Sequence, residues 1–131
     1  TARPLDFGHW SAHKLELLSN FSVSHGEAVA AGVLLDSIYA QHKGWISEPE
    51  LESIASGLRR SGFKLWFEEY EMRDSRGERL VFGGLRDFQE HLGGELCVTF
   101  PKGIGARFEV HEIDIELMNA SLDELKKRAM A

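Results

Sequence analysis

A chain of 131 residues, 43% hydrophobic and 27% charged, has the size of one domain able to bury about two thirds of its unfolded surface. Its net charge of −6 is spread along the sequence rather than blocked, which argues against nucleic acid and anionic membrane surfaces as partners. The single cysteine, Cys97, lies in an apolar run, so no disulfide framework or cysteine metal site arises within the chain; with no leader, long apolar span or lipidation signal, a cytoplasmic protein is expected.

The first predicted helix covers the run Phe7-Gly8-His9-Trp10-Ser11-Ala12-His13-Lys14-Leu15-Glu16. At about 100° per residue, His9, His13, Glu16 and Asn20 fall within an arc of roughly 60° on one face. The neighbouring Phe7, Trp10, Leu15, Leu17 and Leu18 are apolar, so the helix is expected to be wrapped by protein, its polar stripe facing a cavity. The second helix starts at Ser24, an N-cap whose partner Glu27 stands three positions on. From Glu27 to about His42 it is apolar nearly all round and reads as a central buried helix. The third repeats the capping box as Ser47-Glu48-Pro49-Glu50 and carries Leu51, Ile54, Ala55 and Leu58 on one stripe up to Gly62.

Residues 65–72 suggest a short helix whose aromatics Trp66, Phe67 and Tyr70 belong to the core, and 74–79 a polar turn. A further helix is expected over 85–92, ended by Gly93. The runs 95–100 and 107–110 flank Pro101-Lys102-Gly103-Ile104-Gly105 and predict a β-hairpin. A last helix is expected to start at the capping box Ser121-Leu122-Asp123-Glu124, with Lys126, Lys127 and Arg128 as a solvated basic end. The fold class is therefore mainly α, with one small β-hairpin near residues 95–110, in a single domain.

Chemistry is suggested only by the histidines of the first two helices. His25 lies in the first turn of its helix, where the positive end of the dipole favours the neutral ring a metal requires. Two neutral imidazoles and one carboxylate would give Zn²⁺ three protein ligands and an open position. The residues alone equally permit satisfied structural histidines, and both readings stand at this level. Gly93-Gly94 and Gly103-x-Gly105 lack the context of a phosphate loop, so no dinucleotide site is expected within the chain.

Gly-His-x-x-x-His-x-x-Glu followed by His-Gly-Glu-Ala-Val-Ala-x-Gly resembles the metal-binding half of 3-dehydroquinate synthase and the related sugar phosphate cyclases. The likeness runs on to Leu85-Arg86-Asp87-Phe88-Gln89-Glu90-His91-Leu92-Gly93-Gly94 and the Gly103-Ile104-Gly105 turn. It implies the helical C-terminal domain of that fold, with His9 and His25 as zinc ligands and His13 touching substrate and relaying protons. Glu16 would orient a histidine or join an ion pair, and Glu27 would cap. The remaining glutamate zinc ligand and most of the NAD site would belong to an N-terminal domain preceding Thr1, in a homodimeric parent from which this chain has been cut by design or by proteolysis.

Two departures bear on substrate. Asp6 stands where the synthase has asparagine and Trp10 where it has threonine; Gln89-Glu90 replaces a lysine pair. Because an ionised acid repels a phosphate or carboxylate, Asp6 and Glu90, as substrate contacts, suggest cyclases acting on sedoheptulose 7-phosphate or a similar sugar. The implied reaction is an NAD- and zinc-dependent closure of a seven-carbon keto sugar phosphate to a carbocycle, with phosphate elimination. The alternatives are 3-dehydroquinate synthase proper, a metal-dependent alcohol dehydrogenase relative, and a non-catalytic helical module. His42, His91 and His111 are assigned to surface or local packing.

Overall fold

The computed structural model describes residues 8–86, 98–101, 107–110 and 112–130. Asp6, Glu90, His91, Cys97 and His111 lie outside them, as do 87–92 of the expected helix and 102–106 between the strands.

The architecture is mainly helical. Helix α1 is His9–Leu18, α2 is His25–His42 and α3 is Glu48–Arg60. Short 3₁₀ turns follow at Glu68–Glu71 and Leu80–Phe82, then strands β1 (Val98–Pro101) and β2 (Arg107–Val110) and the last helix α4 (Ile115–Met130). The strands pair antiparallel, Val98 opposite Val110 and Pro101 opposite Arg107.

Helix α2 is the axis of the fold: α1, α3, α4 and β1 all pack on it. Its Ala28, Ala31, Leu34, Leu35 and Ile38 are inaccessible and meet Leu15 of α1, Leu51 and Ala55 of α3, and Met118, Leu122 and Leu125 of α4 in one core. Each such leucine contributes about 1.5–3 kcal/mol through burial. Local chemistry fixes where α2 and α3 begin. Ser24 and Ser47 accept from the backbone N–H groups of Glu27 and Glu50, and each glutamate reaches back to its cap's N–H.

The C-terminal helix departs from the sequence expectation. It starts at Ile115 rather than Ser121, with Asp114 accepting from the N–H of Leu117; Ser121 is buried in mid-helix, its hydroxyl donating to the Leu117 carbonyl at 2.8 Å. The basic end is also no free solvated run. Arg128 is bound to Glu124 within α4 and to Glu48 and Glu52 of α3, and Lys126 reaches Glu71. Trp66, Phe67 and Tyr70 join the core as expected, around a single 3₁₀ turn. Among the described residues, no helix is long and apolar enough to cross a membrane.

Candidate metal centre

The site is built where the start of α1 crosses the middle of α2. Gly8, the residue before α1, has φ of 78°, a left-handed conformation that disfavours side chains. The crossing is also close: a Cβ on Gly32 would sit 2.1 Å from the Gly8 carbonyl oxygen, so only glycine lets the two backbones meet there. No side chain caps α1 from its own N-cap position. The partner comes from α2 instead, where the fully buried Asp36 accepts from the Gly8 N–H at 3.0 Å and from the Trp10 indole N–H at 2.8 Å. Burial raises the Asp36 pKa from 3.8 to about 7, against the opposing pull of the two hydrogen bonds. Trp10 is buried in turn and stacks on Phe82 at 6.2 Å between ring centres.

The other end of α1 is turned back sharply. Asn20 and Phe21 have φ of 53° and 63°, the N–H of Phe21 donates to the Glu16 carbonyl at 2.7 Å, and the Ser19 hydroxyl accepts from the N–H of Val23. Asn20 therefore lies beyond the helix and does not extend the polar stripe. This reversal brings the first turn of α2 beside α1.

His9 and His25 meet across it, ring centres 5.7 Å apart and planes at 55°. Two imidazoles bound tetrahedrally to one Zn²⁺, each nitrogen at roughly 2.1 Å, would place their ring centres about 5 Å apart, a separation close to that of this pair. Glu16, two turns along α1 from His9, lies 3.2 Å from Nδ1 of His25. With Nδ1–H donating to that carboxylate, the lone pair falls on Nε2, the tautomer suited to a metal ligand. The two roles left open for Glu16 thus reduce to a contact with His25 itself.

His13 is exposed, one turn beyond His9 on the same side of α1. The stripe is more open than the sequence suggested. The His25 side chain is 67% exposed and Leu17 is 44% exposed, so α1 is not wrapped on all sides. Glu27 is the capping partner of Ser24, and His42 bonds Glu124 at 2.7 Å. Among the described residues no three His, Cys, Asp or Glu side chains group as a metal site; the histidine pair is an incomplete ligand set by itself.

Two buried charged residues escaped the sequence reading. Asp36 was detectable only as the one acid of α2 beyond its capping residue Glu27. Arg79, placed in a polar turn, is 3% exposed and binds Glu71, Asp123 and the Asn119 carbonyl.

Fold and geometry together define a helical domain that offers a matched pair of imidazoles at a helix crossing. The chain belongs to the 3-dehydroquinate synthase C-terminal family, which it matches over residues 1–78. It is 34% identical over 121 residues to a 3-dehydroquinate synthase of Zymomonas mobilis subsp. mobilis, covering 91% of this chain and 31% of that protein. A 2-epi-5-epi-valiolone synthase of Actinomyces sp is 26% identical over 95% of this chain and 31% of its own length. Among solved structures, the 2-epi-5-epi-valiolone synthase of Streptomyces hygroscopicus subsp. jinggangensis 5008, with NAD+ and Zn2+ bound, superposes with a TM-score of 0.83 at 27% identity, covering 96% of this chain and 33% of that one. The chain thus spans about a third of the length of these relatives.

Proposed function

We propose that this chain is the C-terminal part of an NAD- and zinc-dependent sugar phosphate cyclase and supplies two of the metal's ligands, His9 and His25. The observation that carries the reading is the 5.7 Å approach of the two rings with Glu16 on Nδ1 of His25. Zinc and NAD, completed by a glutamate and a dinucleotide site on the remaining part of the enzyme, would supply a Lewis acid and a hydride acceptor when bound. Glu16 holds His25 in one tautomer. The exposed His13 touches the sugar phosphate and relays protons, and Asp6 and Glu90, outside the described residues, are assigned to substrate binding on sequence alone.

The acids Asp6 and Glu90 favour a substrate of the sedoheptulose 7-phosphate type, which lacks a carboxylate, and the valiolone synthases among the relatives support this choice. The 34% identity to the Zymomonas enzyme favours the other reading, 3-dehydroquinate synthase. Assaying the intact enzyme with both substrates decides between them. We expect the uncharged-headed sugar phosphate to be turned over better, and Asp6→Asn to weaken that preference. Efficient dehydroquinate formation would return the assignment to the synthase. For the chain alone, calorimetry should give weak zinc binding that is lost in His9→Ala and in His25→Ala, and no NAD⁺ binding; tight NAD⁺ binding would contradict the division of labour.

A further inference from the structure

We infer that Asp36 is the positioning residue of this site: its carboxylate, reached from α2, locks the first turn of α1 and so sets the direction in which His9 meets His25. The inference rests on the reading of His9 and His25 as metal ligands.

Three observations carry it. The two donors Asp36 accepts, the Gly8 N–H and the Trp10 indole, are the immediate neighbours of His9 on either side. A peptide held before His9 and a ring held after it leave the Cα–Cβ direction of His9 little freedom. The second observation is that the N-cap of α1, Gly8, has no side chain with which to cap, whereas α2 and α3 have complete capping boxes; among the described residues it is Asp36 that binds the N–H of this N-cap, the place Glu27 and Glu50 take in those boxes. The third is chemical economy at a buried position. A carboxylate removed from water is costly unless hydrogen-bonded, and this one spends both bonds on residues flanking a single histidine. His25 is held separately, by Glu16 on its Nδ1, so each member of the pair has its own carboxylate, one bonding the ring and one bonding the backbone that carries the ring.

The test is a Co²⁺ and Zn²⁺ titration of the chain and its variants, read by visible absorption and calorimetry, with Tm and circular dichroism recorded alongside. His9→Ala should abolish binding; if it does not, the ligand reading fails, whatever Asp36 does. Given that loss, Asp36→Asn should weaken binding by about 10–100-fold, the range found for groups that orient metal ligands. Leu51→Ala, a core change on α3, should lower Tm without altering affinity. Trp10→Phe removes one of the two hydrogen bonds while keeping an aromatic ring in the core, and should give an intermediate loss; it serves if Asp36→Asn does not fold. Affinity in Asp36→Asn or Trp10→Phe no lower than in Leu51→Ala would overturn the positioning role.

Discussion

Asp36 should make the stability of this chain fall as pH rises across the neutral range, opposite to the behaviour of an ordinary paired carboxylate. Its folded pKa is raised from 3.8 to about 7, so between those values the unfolded chain has released a proton that the folded chain retains. Folding is then disfavoured by alkali: the contribution is fully present below about pH 4, is lost as pH rises, and levels off above pH 7. At about 1.4 kcal/mol per unit the total is about 4 kcal/mol, a large share of a small domain's stability. Asp36→Asn isolates this effect. The amide cannot titrate, and it leaves the Gly8 N–H or the Trp10 N–H without an acceptor at a pH-independent cost of about 1–3 kcal/mol. Urea unfolding of both proteins from pH 4 to pH 8 gives a difference in which the groups common to the two cancel. Tyr70, held well above its usual pKa by burial, stays neutral throughout. We expect the wild-type advantage at pH 4 to shrink steadily and to vanish or reverse by pH 8. A difference that is flat, or that grows with pH, would refute the reasoning, because it would mean that Asp36 is ionised in the folded chain throughout.

Other perturbations follow from the same contacts. Gly32→Ala places a methyl 2.1 Å from the Gly8 carbonyl oxygen, so the helices must separate at a cost of about 1–3 kcal/mol, measurable as a lower urea midpoint. Arg79→Met should cost about 2–3 kcal/mol, since the buried guanidinium donates to Glu71, Asp123 and Asn119 and each charged hydrogen bond carries about 1.5–3 kcal/mol less the screening at its exposed partners. Arg79→Lys should recover less than half, because one ammonium cannot span three acceptors. At Phe21, left-handed and 62% exposed, glycine should exceed alanine in stability by about 1 kcal/mol, the reverse of their order in a helix; equal midpoints for the two variants would show that the turn stores no strain.

What the sequence made legible is what neighbours in sequence decide. The starts of α2 and α3 could be read from Ser24 and Ser47 because a capping box closes within four residues, and the burial of α2 from its near absence of polar side chains. The two histidine motifs were legible as a pattern, but Glu16 stayed ambiguous: whether it meets His25 depends on the reversal at Asn20 and Phe21, two residues in a conformation that no preference of phenylalanine would suggest. Ser121 misled because Ser-x-x-Glu fits a cap equally well inside a helix, where the hydroxyl simply bonds the carbonyl four residues back. The role of Asp36 could not be read. Its partners lie 28 and 26 positions away, and the reason an acid is tolerated there is the pair of N–H groups it receives from the start of another helix.

That arrangement ties the site to the fold in one direction. A ten-residue helix is marginal in isolation, and the N-cap of α1 is a glycine, with no side chain to favour its nucleation. Its first turn, which bears His9, is completed only when α2 has formed and delivered Asp36 to it, and the close approach of Gly8 and Gly32 requires the same packing. Helix α2, by contrast, carries its own cap and most of the core, and His25 occupies its first position. One imidazole of the pair is therefore set by local sequence and the other by tertiary packing. The pair comes into register when the α1–α2 crossing closes, so any change that loosens the crossing reaches His9 before it reaches His25.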